Sequence, residues 1–267
     1  MTTTLGIDLA SRPASTAVCA ISWGGDPTVV ALARGALGPG RARPLDDYRL
    51  GALLRGDHDL VPGPVTKVAI DAPFGWPDAF VDALAGRRPW SSAGVGVDRR
   101  LTHRATDRWI HERTGRLPLS VSTDRIAYPA MRLAGLFAEH VDADDEVDRS
   151  GRGGRFCEAY PAVAVDALGL RSGVAGATGT YKGAAGRPAR RAIVAELRRR
   201  APWLVIADDR VAACVAHDDA LDALLCALVA RAVERRLTPP IPSVLDGAAR
   251  REGWIHVPFD GALERLR

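Results

Sequence analysis

Five acidic residues sit where a folded chain can bring acids together: Asp8, Asp71, Glu158, Asp219 and Asp222. Asp8 lies in Thr4-Leu5-Gly6-Ile7-Asp8-Leu9-Ala10, where Leu5, Ile7 and Leu9 alternate with Gly6, Asp8 and Ala10. That period of two predicts a half-buried strand with one apolar face. A carboxylate on the other face is costly to desolvate unless a partner offsets the cost. Gly6 and Ala10 are small, which predicts room for a cation or a phosphate beside Asp8. The plainer alternative is a local cap or salt bridge.

Asp71 closes a second apolar run, Val65-Thr66-Lys67-Val68-Ala69-Ile70-Asp71, followed at once by Ala72-Pro73-Phe74-Gly75-Trp76-Pro77. The prolines stop a strand there. Asp71 is thus expected at the carboxyl end of a central strand, where open α/β sheets place ligands. Neighbouring strands lie about 4.8 Å apart, so carboxylates on two of them can share one cation. The alternative is an Asp that merely starts the turn. Glu158 ends another strand-like run, Arg155 to Tyr160, stopped by Pro161. Asp219 and Asp222 are three apart at the start of a helical run that is apolar almost all round from Ala220 to Ala230, so they share a face of a buried helix. N-capping explains Asp218 and Asp219. It does not explain Asp222, which is already inside the apolar run.

The elements that must position these acids follow in order. Thr16–Trp23 and Thr28–Arg34 predict two strands around the turn Gly24-Gly25-Asp26-Pro27. With the first strand they form three antiparallel strands. A helix over about 45–55 then crosses to the fourth strand, 65–71, parallel to the first. Helices are expected over 129–140, 163–168, 189–200 (with an arginine-rich exposed face) and from His217 on, with an exposed loop over 141–154 and a flexible turn over 179–183. The fold class is therefore α/β: a mixed five-stranded sheet with helices on both faces, in the RNase H-like order. One domain over 1–267 is expected, with an arginine-rich insertion at about 86–125 and a C-terminal tail at 238–267.

A chain of 267 residues with 47% hydrophobic and 25% charged content is long enough for a packed core. No apolar run is long enough to span a bilayer. The start, Met1-Thr2-Thr3-Thr4, has no basic region followed by an apolar stretch, so a cytoplasmic protein is expected. Four widely spaced cysteines with no CxxC pair predict reduced, buried thiols. Net charge is +4, yet residues 86–125 carry nine arginines against four acids, which is +5 in that stretch alone. Such local charge is what an anion-binding lid needs, and nucleic acid is the expected partner. A solvated loop is the alternative.

The segments Gly6-Ile7-Asp8, Ile70-Asp71-Ala72-Pro73, Arg104-Ala105-Thr106-Asp107, Glu158-Ala159-Tyr160-Pro161, Tyr181-Lys182, Asp219-Ala220-Leu221-Asp222 and Glu252-Gly253-Trp254-Ile255 together resemble the DUF429 family of predicted nucleases, relatives of RNase H. The resemblance covers nearly the whole chain. It implies divalent metal held by Asp8, Asp71, Asp219 and Asp222, with Glu158 in or beside the cluster. It implies Arg104, Thr106, Asp107, Tyr181 and Lys182 facing the substrate. Oxygen ligands suit Mg²⁺ or Mn²⁺, and two such ions activate water and stabilise the leaving oxygen in phosphodiester hydrolysis. A metal-dependent nuclease is thus the expected function. The alternatives are a sugar-kinase or actin-like phosphotransferase, with Ser11–Thr16 as its phosphate loop, and a non-catalytic nucleic-acid-binding module.

Overall fold

The computed structural model describes residues 2–35, 45–56, 61, 63–90, 98–141, 147–171 and 180–267. Residues 91–97 of the arginine-rich stretch, 142–146 of the expected loop and Gly179 of the expected turn lie outside the described residues.

The strands are β1 (Thr3–Asp8), β2 (Ala17–Ser22), β3 (Thr28–Arg34), β4 (Val65–Asp71), β5 (Phe156–Ala159) and β6 (Ile255–His256). They form one sheet in the order β3-β2-β1-β4-β5-β6. β1 to β3 pair antiparallel, whereas β4, β5 and β6 run parallel to β1. The mixed α/β sheet is the expected one with a sixth strand added. β6 is two residues long and falls inside Gly253-Trp254-Ile255-His256-Val257, a run that is strand-like in sequence but too short to be counted into the sheet.

The helices are α1 (Asp47–Arg55), α2 (Asp78–Leu84), α3 (Arg99–Thr102), α4 (Ala105–Thr114), α5 (Ala127–His140), α6 (Pro161–Ala167), α7 (Arg187–Arg200), α8 (Asp208–Ala216), α9 (Asp218–Glu234) and α10 (Asp246–Glu252). α1 shows how local chemistry sets them. The Asp46 carboxylate accepts from the Arg49 N–H at 2.9 Å, Leu50, Leu53 and Leu54 form its buried stripe, and Gly56 ends it at φ 83°. α2, α8 and α10 lie where the sequence predicts no helix. α8 buries only Cys214 and Val215, so its apolar stripe is too thin to read.

Strand parity divides the core into two layers. Leu5, Ile7, Val68, Ile70 and Phe156 point to one face and pack with Leu50, Leu53 and Leu54 of α1 and with Leu133 and Leu136 of α5. Cys19, Ile21, Ala69, Cys157 and Ala159 point to the other, where α9 lies. α9 is buried almost throughout, from Ala220 to Ala230. It crosses β1 so closely that a Cβ on Gly6 would lie 2.1 Å from the Ala223 carbonyl oxygen. Gly6 therefore does not open space for a ligand, as its size had suggested; the backbone of α9 fills that space. Thr4 anchors the same contact by donating to the Ala227 carbonyl at 3.0 Å. Gly6→Ala is expected to cost roughly 1–3 kcal/mol by overpacking. Urea denaturation checks this: a loss under 0.5 kcal/mol would mean that α9 can retreat freely.

All four cysteines are buried free thiols. Among the described residues no helix is long and apolar enough to cross a membrane. The tail is part of the fold: Trp254 is buried, and the Glu252 carboxylate accepts from the Asp78 N–H at 2.8 Å and the Ala105 N–H at 2.6 Å. One side chain thus serves the first turns of both α2 and α4.

A candidate metal centre at the ends of β1 and β4

The parallel register of β1 and β4 sets Asp8 directly beside Asp71. Both follow the parity of Gly6 and Ala69, so both face α9. Asp222 lies one turn into α9 and is wholly buried. One carboxylate oxygen from each of the three comes within 4.8 Å of the others. Among the described residues, no hydrogen bond reaches the side chain of Asp8 or Asp71. Asp222 is fixed on both oxygens: the Tyr181 hydroxyl donates to Oδ1 at 2.6 Å, and the Lys182 ammonium donates to Oδ2.

Crowding shifts the acids. Burial raises the Asp8 carboxyl well above the ordinary range, and Asp222 and Asp71 add to the rise. Asp71 is pushed up to about 7, first by burial and then by Asp222 and Glu158, with Lys182 opposing. Asp222 is also raised by burial, against the pull of Lys182 and Tyr181. Burial works against the charge of Lys182, but Asp222, Asp71 and Asp8 outweigh it and strengthen its hold on the proton.

Two expected ligands stand outside this group. Asp219 is engaged by Arg34, whose Nε and Nη2 donate to its two oxygens at 2.6 Å each. Glu158 pairs in register with Ile70, not with Asp71, and so points to the opposite face of the sheet. There it accepts from Arg104 Nη1 at 2.8 Å and Nη2 at 2.7 Å, and from the Phe74 N–H at 3.1 Å. Period-two parity is the reason: one step along a strand changes the face.

The expected substrate contacts also divide. Tyr181 and Lys182 reach the carboxylates. Arg104, Thr106 and Asp107 do not face solvent, each being no more than 2% exposed. Arg104 Nε and Nη2 donate to Asp107 at 3.1 and 2.9 Å, and Asp107 also accepts from the Arg104 N–H at 2.9 Å. Thr106 accepts from the Ile255 N–H at 2.9 Å, tying α4 to β6.

The family model described as Protein of unknown function (DUF429) matches residues 6–244. The chain belongs to the DUF429 family. No curated protein and no solved structure matches it. The match spans all of Asp8, Asp71, Glu158, Lys182 and Asp222, and it stops short of Glu252 and Trp254.

In this DUF429 protein the fold engages most of the arginine-rich stretch, and three of its arginines pair with acids outside it, Arg87 with Asp82, Arg104 with Glu158 and Arg116 with Asp166. Arg88 and Arg100 pair with Asp98. Arg108 donates to the His103 carbonyl, and Arg113 stacks over Trp109. Among the described residues only Arg99 and Arg125 of the stretch have no such engagement. Its sequence charge of +5 therefore overstates the free positive surface. A groove of about 800 Å³ lies elsewhere, lined by Phe74, Trp76, Leu133, Phe137 and Arg251, and none of the three aspartates borders it.

Arg190 is a positioning residue that the expected exposed face of α7 concealed. It is 1% exposed and, among the described residues, meets no carboxylate. Its guanidinium instead donates to the carbonyls of Tyr181 at 2.6 Å, Gly183 at 2.7 Å, Val215 at 3.0 Å and Ala216 at 3.0 Å. It thereby clamps the turn that carries Tyr181 and Lys182 onto the end of α8. The signal was present: Arg190 is in step with buried Ile193, Val194 and Leu197 at i, i+3, i+4 and i+7.

Proposed function

We propose that this chain is a divalent-metal-dependent phosphodiesterase of the RNase H-like class, with nucleic acid as its substrate class. One observation carries the reading: Asp8, Asp71 and Asp222 come from two parallel strands and a buried helix and meet at one end of the sheet. The strand order β3-β2-β1-β4-β5 with an antiparallel first hairpin supports the superfamily part of it. The donor set fits Mg²⁺ or Mn²⁺, since it is all oxygen and half-buried. Among the described residues no hydrogen bond occupies the carboxylate oxygens of Asp8 and Asp71, and raised proton affinity in both marks charge that a cation relieves.

When bound, such a cation activates water and stabilises a leaving oxyanion. The chain's own residues do the rest. Tyr181 and the Arg190-held turn keep Asp222 in one rotamer, and the β1–β4 register keeps Asp8 and Asp71 abreast. Calorimetric titration with Mn²⁺, alongside cleavage of labelled DNA and RNA oligonucleotides, tests the reading. The parent is expected to bind Mn²⁺ and to cleave one of the two polymers, and Asp8→Asn to lose both properties. No Mn²⁺ binding by the parent removes the metal centre. Binding without cleavage of either polymer removes the phosphodiesterase.

A further inference from the structure

We propose that Lys182 is a tethered counter-ion that occupies the carboxylate cluster when metal is absent and is expelled when metal binds. This rests on the metal-centre reading above and specifies how that centre is regulated.

Three observations carry the proposal. The Lys182 ammonium bonds to Asp222 and is drawn also by Asp71 and Asp8, the same three acids that would hold the cation. A single positive charge thus already serves the three acids, and a divalent ion would take over the same oxygens. Secondly, the two partners differ in freedom. The Asp222 side chain is wholly buried, whereas the Lys182 side chain is 45% exposed. Withdrawing the lysine to water lets its ammonium regain the hydration that the cluster denies it, whereas Asp222 left alone would be an uncompensated buried charge. Thirdly, the backbone that carries Lys182 is held independently of its ammonium. Arg190 binds the carbonyls on both sides of it, and the Gly183 N–H donates to Asp218 at 3.1 Å. The side chain can leave while the turn stays, so exchange needs no refolding of the site. The tether then sets a threshold: metal must outcompete an ammonium whose local concentration is fixed by the chain.

Two measurements test this. The first is Mn²⁺ titration of Lys182→Met, which keeps an unbranched side chain one atom shorter and removes its charge. The variant is expected to bind Mn²⁺ at least about tenfold more tightly than the parent, because the internal competitor is gone. Its melting temperature without metal should be lower, and its rise on adding Mn²⁺ larger. The second uses the parent alone and so does not depend on the variant folding. The chain has only two lysines, Lys67 and Lys182. Lys67 is buried and donates to the Gly151 and Gly154 carbonyls, which makes it an internal reference. Labelling of Lys182 by an amine reagent, followed by mass spectrometry, should speed up in Mn²⁺ relative to Lys67. Equal or weaker Mn²⁺ binding by the variant overturns the proposal, as does Mn²⁺ binding with no change in Lys182 labelling, and both leave the metal centre standing. Absence of Mn²⁺ binding in parent and variant alike overturns the proposal and the metal centre together.

Discussion

Replacing Arg104 with alanine is expected to cost about 3–5 kcal/mol of folding stability, a large share of the roughly 5–15 kcal/mol that holds a domain folded. The magnitude follows from what the guanidinium leaves behind. Arg104 spans Asp107 and Glu158 with four hydrogen bonds and adds a fifth to the Glu252 carbonyl at 3.2 Å. Both carboxylates are shielded from water, with side-chain exposures of 0% and 3%. Without the arginine two negative charges would face each other in a dry site. They would take up protons or draw in water, and either route is costly. A surface arginine waiting for a phosphate would cost under 0.5 kcal/mol on the same change. Chemical denaturation separates the two readings. Glu158→Gln should cost less than Arg104→Ala, because the amide still accepts from the guanidinium and Asp107 retains its pair. A double change of Arg104 to alanine and Glu158 to glutamine should recover part of the loss, since one unpaired buried carboxylate, Asp107, then remains in place of two. A fully additive double change would mean that the pair does not act as a unit.

The same network shows what the sequence could and could not tell. Alternation in Thr3–Asp8 and the prolines after Asp71 were enough to set both aspartates at the carboxyl ends of central strands, and the parallel crossover put those strands side by side. Asp222 was legible because a charge inside an otherwise apolar helix needs a reason. Glu158 was not, because its face depends on whether it pairs with Ile70 or with Asp71, and a four-residue strand offers no internal pattern to decide that. Arg104 was missed for a related cause. Composition marks arginine as a surface residue, and only tertiary contact reveals that Glu158, distant in the chain, joins the neighbouring Asp107 in neutralising it. The counting of charge over 86–125 failed for the same reason, since partners such as Asp82 and Asp166 lie outside the stretch. Local periodicity therefore captured the strands and the aspartates borne on them. Register and long-range pairing, which no window of sequence contains, decided the rest.

Asp71→Asn is expected to abolish most of the response of the protein to metal. In the parent, saturating Mn²⁺ at a hundred times its dissociation constant should add about 2.7 kcal/mol of stability. In the variant that gain should nearly vanish, because a carboxylate ligand has been replaced by a weaker neutral donor. The metal-free comparison should run the other way. Asp71 holds its proton up to about pH 7 in the folded chain, against an ordinary value of 3.8. A carboxyl whose folded value is raised contributes stability that is present below about pH 4 and is lost as pH rises towards 7. Metal-free parent should therefore weaken across pH 5 to 8, and Asp71→Asn, which carries no charge at any of these values, should weaken less. At pH 8 the metal-free variant should equal or exceed the parent in melting temperature. Metal binding must also displace the proton, so stabilisation of the parent by Mn²⁺ should grow through the same interval. An Asp71 that merely shaped the turn before Pro73 would give the opposite signs: the variant would be weaker without metal at every pH, and Mn²⁺ would move neither protein. Melts of both proteins at pH 5, 6.5 and 8, with and without millimolar Mn²⁺, therefore distinguish a ligand from a turn residue by sign, whatever substrate the site acts on.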